Sequence, residues 1–107
     1  MIVLSNFTFF KEATATGDSP ALKNIHGEAL TLCVSGTFVG TLVVNGTQGN
    51  VTNTLTVVNL ADLTTATSIT AAGTYEVVCP HGFENISVSI SEYTSGSITV
   101  TGRLCAE

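Results

Sequence analysis

Polar and apolar positions alternate most clearly near the C-terminus. Ile86, Val88 and Ile90 are separated by Ser87, Ser89 and Ser91, the period-two pattern of a strand with one face buried. After Thr94-Ser95-Gly96-Ser97, Ile98 and Val100 resume the alternation with Thr99 and Thr101, up to Leu104. Gly96 is free to take positive φ, so the two runs predict a C-terminal hairpin turning at Thr94–Ser97. The same period marks Ala29–Ser35, with Leu30, Leu32 and Val34 on one face and Thr31, Cys33 and Ser35 on the other.

Weaker alternations complete the series. Phe7–Phe10 predicts a first strand that includes Val3 and Leu4, and Ala21–Ile25 a short one closed by His26-Gly27. Gly17-Asp18 and Ser19-Pro20 read as turns. Phe38–Asn45 predicts a strand ending at Asn45-Gly46, a dipeptide typical of tight turns, with Thr47–Asn53 a polar loop beyond it. Thr54–Asn59 is the next strand. Leu60–Ala66 is an irregular connection with room for one helical turn at Ala61–Leu63, and Ala71–Gly73 is a turn. Thr74–Cys79 alternates again, placing Tyr75, Val77 and Cys79 on one face, and Pro80-His81-Gly82 ends it. Eight or nine short strands without a convincing helix predict an all-β, jelly-roll-like antiparallel β-sandwich. With no linker and no internal repeat, residues 1–107 read as one domain, with residues 1–12 a candidate N-terminal strand or arm.

Composition narrows the function. Charged residues make up only 10% of the chain, against 44% hydrophobic, and threonine and serine take the place of charge. Such a surface favours repeated contacts with other proteins. The net charge is −5, with Lys11, Lys23 and Arg103 the only cations. Three dispersed cations do not neutralise a run of phosphates or an anionic bilayer, so neither nucleic acid nor membrane is an expected partner. No apolar run reaches 18 residues, and Met1–Leu4 is too short for a signal-peptide core. The expectation is a protein that is made in a cytoplasm and stays there, or leaves inside something larger.

Candidate chemistry is sparse. Cys33, Cys79 and Cys105 form an odd set, which favours reduced thiols. Cys79-Pro80-His81 offers one loose ligand pair where structural zinc needs two, so no metal and no cofactor are expected. His26 and His81 are the only bases available for a nucleophile, and the acids Glu84 and Glu92 stand eight residues apart on one strand. The chain is therefore expected not to be an enzyme. For a glycan, Phe10, Phe38, Phe83 and Tyr93 are candidate platforms, with Asn45, Gln48, Asn50 and Asn53 the polar groups, and the expected contacts are Asn45, Gln48, Asn50 and Tyr93.

Three stretches together resemble a family: Val34–Leu42, Ser68–Val77 and Ser89–Arg103, the last with its Tyr-Thr-Ser-Gly-Ser turn. They are similar to small β-sandwich virion structural proteins of tailed bacteriophages. The chain departs from that pattern at Asn45–Asn50, where the family carries Asp-Gly and a Trp. The resemblance implies a virion component: a capsid decoration, head-fibre or tail-associated protein without catalytic residues. On this basis the expected role is decoration of a major capsid protein shell by a homo-oligomer, a trimer in the first instance. Phe7, Phe9 and Phe10 of an N-terminal arm would make the oligomer or shell contacts. The alternative is a carbohydrate-binding module of a fibre or secreted protein.

Overall fold

A computed structural model describes residues 2–24 and 29–106, with the backbone alone for residues 2–4 and 106. Eleven strands form two antiparallel sheets packed face to face. They are β1 (Ile2–Ala13), β2 (Gly17–Asp18), β3 (Leu22–Lys23), β4 (Ala29–Ser35), β5 (Phe38–Gln48), β6 (Val51–Leu55), β7 (Val57–Asn59), β8 (Thr65–Ala66), β9 (Gly73–Val77), β10 (Asn85–Gly96) and β11 (Ile98–Ala106). The larger sheet has the order β1-β11-β4-β9-β7-β8 and the smaller β2-β10-β5-β6, with β3 also on β10. Helical structure among the described residues is confined to a 3-10 turn at Pro80–Gly82. The sandwich expected from the alternation is therefore the architecture observed.

The predicted faces are the buried ones. Leu30, Leu32 and Val34 of β4 meet Ile86, Val88 and Ile90 of β10 across the core, and none of the six is more than 2% exposed. Burying each such aliphatic side chain contributes about 1.5–3 kcal/mol. Cys33, opposite in parity, is exposed.

The predicted C-terminal hairpin does not form. β10 pairs with β5 from Asn85↔Thr47 to Gly96↔Phe38, whereas β11 pairs with β1 and β4. At Gly96-Ser97 the chain crosses between sheets instead of turning within one. The neighbouring crossover, from β4 to β5 at Gly36-Thr37, runs directly against it, and Ser97 N donates to Thr37 O at 3.1 Å. Both crossovers require glycine. Gly36 (φ 106°) and Gly96 (φ 91°) lie at positive φ, and a Cβ at either would collide with the other crossover's backbone, at Ser97 O and Thr37 O respectively.

The Asn45-Gly46 turn is also absent. β5 continues to Gln48, and the chain reverses at Gly49-Asn50, so much of the expected 47–53 loop is the β5–β6 hairpin. Gly49, at φ 60°, occupies the first central position of the two-residue turn, where a type II′ turn needs glycine. Gly46 instead seats the Phe83 ring, whose atoms lie 2.6–2.9 Å from where a Cβ would stand. Thr56 is a corner between sheets that splits the expected 54–59 strand into β6 and β7. Gly17-Asp18, expected as a turn, is the short strand β2 on β10. Ala61–Leu63 is a turn without helical structure, and its Leu63 takes φ 61°.

Candidate functional site

The sequence-based contacts separate when placed on the fold. Residues 2–13 do not form a free arm: β1 pairs with β11 from Ile2↔Ala106 to Ala13↔Ile98. Phe9 is 3% exposed, and its ring lies over Gly102, where an added Cβ would stand 2.7 Å from Cε2. Phe7 packs edge-on against it, ring centroids 4.9 Å apart at 67°, and Phe7 and Phe10 are half-buried on the core. Phe9 is thus a core residue rather than a contact residue, because the pleat turns it inward. Met1 and His26 lie outside the described residues.

The glycan candidates are divided between the two ends of the sandwich. Gln48 and Asn50 are exposed at the tip of the β5–β6 hairpin. Asn45 Nδ2 donates to Ser89 Oγ at 2.8 Å, and Ser89 Oγ donates to Asp18 Oδ1 at 2.6 Å, so that amide is engaged on the outer face of the smaller sheet. Tyr93 lies opposite Gly40, and its hydroxyl donates to Gly96 O at 2.6 Å. At about 3.3 Å per residue, the eight steps from Gly40 to Gln48 put roughly 26 Å between Tyr93 and the hairpin tip. Phe10, Phe38 and Phe83 are half-buried against the core.

The thiols and the histidine are equally dispersed. Cys33, Cys79 and Cys105 are all free. Cys33 sits opposite Thr101, four residues along β11 from Cys105, or about 13 Å in an extended strand, too far for a disulfide. Cys79 leaves the strand at φ 55°, exposed just before the turn that carries the exposed His81, rather than continuing the face of Tyr75 and Val77. No group of three or more His, Cys, Asp or Glu gathers among the described residues. Asp62 accepts from Thr64 Oγ1 at 2.7 Å and Thr64 N at 3.1 Å, and these bonds hold its carboxyl below the ordinary range. Burial, with a smaller contribution from Asp62, pushes the Tyr75 hydroxyl up, and that hydroxyl donates to Ala71 O at 2.8 Å. Both arrangements brace loops.

What the fold leaves available is its sheet edges, which natural proteins guard against unwanted pairing. The β1 edge breaks register at three places and carries Lys11 and Glu12. β2 and β3 span two residues each, with Pro20 between them and Asp18 and Lys23 on them. β8 is two residues long. β6, Val-Thr-Asn-Thr-Leu, has five residues, continuous register with β5, no proline and no charge. Its first four residues are exposed, Val51 at 60%. The absence of charge extends well beyond it: residues 29 to 61 contain no Asp, Glu, Lys or Arg. Sequence reasoning missed this edge because it read Thr47–Asn53 as a loop.

No family model matches the chain, and no curated protein matches it. Two solved structures share its fold. SPBc2 prophage-derived protein YomS superposes with a TM-score of 0.85 at 20% identity, over 95% of this chain and 92% of that one. PBSX exported protein XepA gives a TM-score of 0.85 at 24% identity over 94% of this chain, which spans 37% of XepA.

Proposed function

We propose that this protein is a non-catalytic structural component of a bacteriophage particle, a β-sandwich subunit that decorates the capsid shell as a homo-oligomer. The observation that carries this reading is the near full-length fold shared with a prophage-derived protein at a TM-score of 0.85. The threonine-rich composition, low in charged residues, and the open, charge-free β6 edge support it, since a subunit added in many copies needs contact surfaces that carry little charge of their own. The partners are further copies of itself and a major capsid protein.

The test is mass spectrometry of purified virions of the phage that carries the gene, with light scattering on the isolated protein. The reading expects this chain's peptides in stoichiometric ratio to the shell protein, and a closed oligomer in solution. Peptides confined to the soluble fraction of the lysate would overturn it.

A second reading rests on XepA, which is named an exported protein and of which this fold makes up about a third. The same sandwich would then be one module of a longer protein, binding a carbohydrate through the hairpin tip at Gln48 and Asn50. A glycan array binds such a module and leaves a decoration protein blank.

A further inference from the structure

We infer that β6 is the contact through which two copies of this chain pair, antiparallel about a two-fold axis at Asn53, joining their smaller sheets into one continuous sheet. The inference rests on the homo-oligomeric reading and adds its surface and its symmetry. The turn at Gly49-Asn50 is closed by the pair Gln48↔Val51, and the ladder runs without a break to Val44↔Leu55. In an antiparallel ladder, residues alternate between bonding inward and pointing away. Val51, Asn53 and Leu55 therefore bond to β5, leaving the N–H and C=O of Thr52 and Thr54 to face the open side.

Those two residues flank Asn53 symmetrically. An identical strand laid antiparallel with Asn53 opposite Asn53 sets Thr52 against Thr54 of the second copy, and Thr54 against Thr52. The outward main-chain groups then pair in full, four hydrogen bonds in all. The side chains match as well. Threonine faces threonine on the outer surface, a favourable cross-strand pair, and on the other face Val51 (60% exposed) meets Leu55 (5% exposed), covering the apolar surface that β6 otherwise leaves in water.

The placement of charge suits a second copy at this edge. Two molecules of net charge −5 repel, so a self-contact belongs where neither contributes charge. β6 lies inside the charge-free span 29 to 61, and the carboxylate beside its turn, Glu84, is occupied at Gly49 N, 3.0 Å away. A two-fold contact thus takes the place of the three-fold assembly expected from sequence. The other three edges lack this self-complementarity: β1 is broken in register, and β2, β3 and β8 are each two residues long.

The experiment measures solution mass by light scattering over a concentration series, for the wild type and two charged variants. The wild type is expected to reach twice the 11.0 kDa chain mass. Thr52→Lys/Thr54→Lys places like charges opposite each other and is expected to stay at the single-chain mass, as is Thr52→Glu/Thr54→Glu. An equimolar mixture of the two is expected to recover the doubled mass, because the register sets Lys against Glu. Hydrogen exchange of the wild type reads the same contact without mutation: the Thr52 and Thr54 amides are expected to gain protection as concentration rises. A trimer, an oligomer whose mass ignores both variants, or amides that exchange at a concentration-independent rate would overturn the β6 contact while leaving the homo-oligomeric reading open. A monomer throughout, as expected if the edge serves an extended segment of another protein, would overturn both. Virion content remains the separate readout for the phage-particle reading.

Discussion

β1 and β6 are both edge strands built from β-formers, yet the fold treats them in opposite ways. β1 runs for 12 residues, breaks register three times and anchors itself by setting Phe9 into the core over Gly102. β6 runs for five, keeps its register and buries only Leu55. A long edge has the most free main chain to pair wrongly, and β1 carries the devices that prevent it. The shorter β6 carries none, although a charge or a proline at Thr52 or Thr54 would guard it without touching the core. The difference separates a strand that holds the sandwich together from one left open to a partner.

The sharpest way to break the comparison is at Phe9. Phe9→Ala removes a ring that is 3% exposed and contacts Gly102 and Phe7. It should cost about 3–5 kcal/mol, read as a large fall in the urea midpoint, and deletion of residues 1–10 should leave no folded core. A deletion that stays folded would restore β1 to the arm expected from sequence. Gly46→Ala tests the smaller sheet in the same way. Its Cβ would stand 2.6 Å from the Phe83 ring, and displacing that half-buried ring should cost about 1–3 kcal/mol. A neutral result would mean that the ring swings out freely. Gly49→Ala acts on β6 itself. At φ 60° an alanine is strained by roughly 1–2 kcal/mol, and the loss should appear as faster amide exchange in residues 51–55 as well as a lower midpoint.

These residues also mark how far the sequence could be read. Side-chain direction is a local property, so period-two alternation identified the buried faces of β4 and β10 residue by residue. Partnership is not local. A glycine at positive φ serves a hairpin and a crossing between sheets equally well, and Gly96 gave no sign of which. Asn45-Gly46 misled for a related reason: the dipeptide suits a tight turn, but Leu42, Val44 and Gly46 continue the inward alternation, and the glycine is there to admit the Phe83 ring. Phe9 was legible as part of a strand, yet which face of that strand turns inward is set by its pairing with β11. The β6 edge is visible only once every other strand has its neighbours, so no reading of the sequence alone reached it.

The smallest expected effect concerns the edge at β8, which is guarded by shortness and by its turn. Asp62 receives the hydroxyl and the N–H of Thr64, and these bonds lower its pKa from the ordinary 3.8. A carboxyl depressed in the folded state contributes stability above its unfolded pKa and loses it as pH falls through the folded value. The wild type should therefore lose a small increment of stability below about pH 4 that Asp62→Asn does not lose, since the amide does not titrate there. The group is fully exposed, so the increment should fall below that of any substitution above, and a difference between midpoints measured at pH 6 and pH 3 resolves it. If Asp62→Asn instead destabilises as strongly at pH 6 as Gly49→Ala, the turn at Asp62 holds β8 in place as firmly as the Gly49 turn holds β6. The guarded edges would then depend on their loops no less than the open one does.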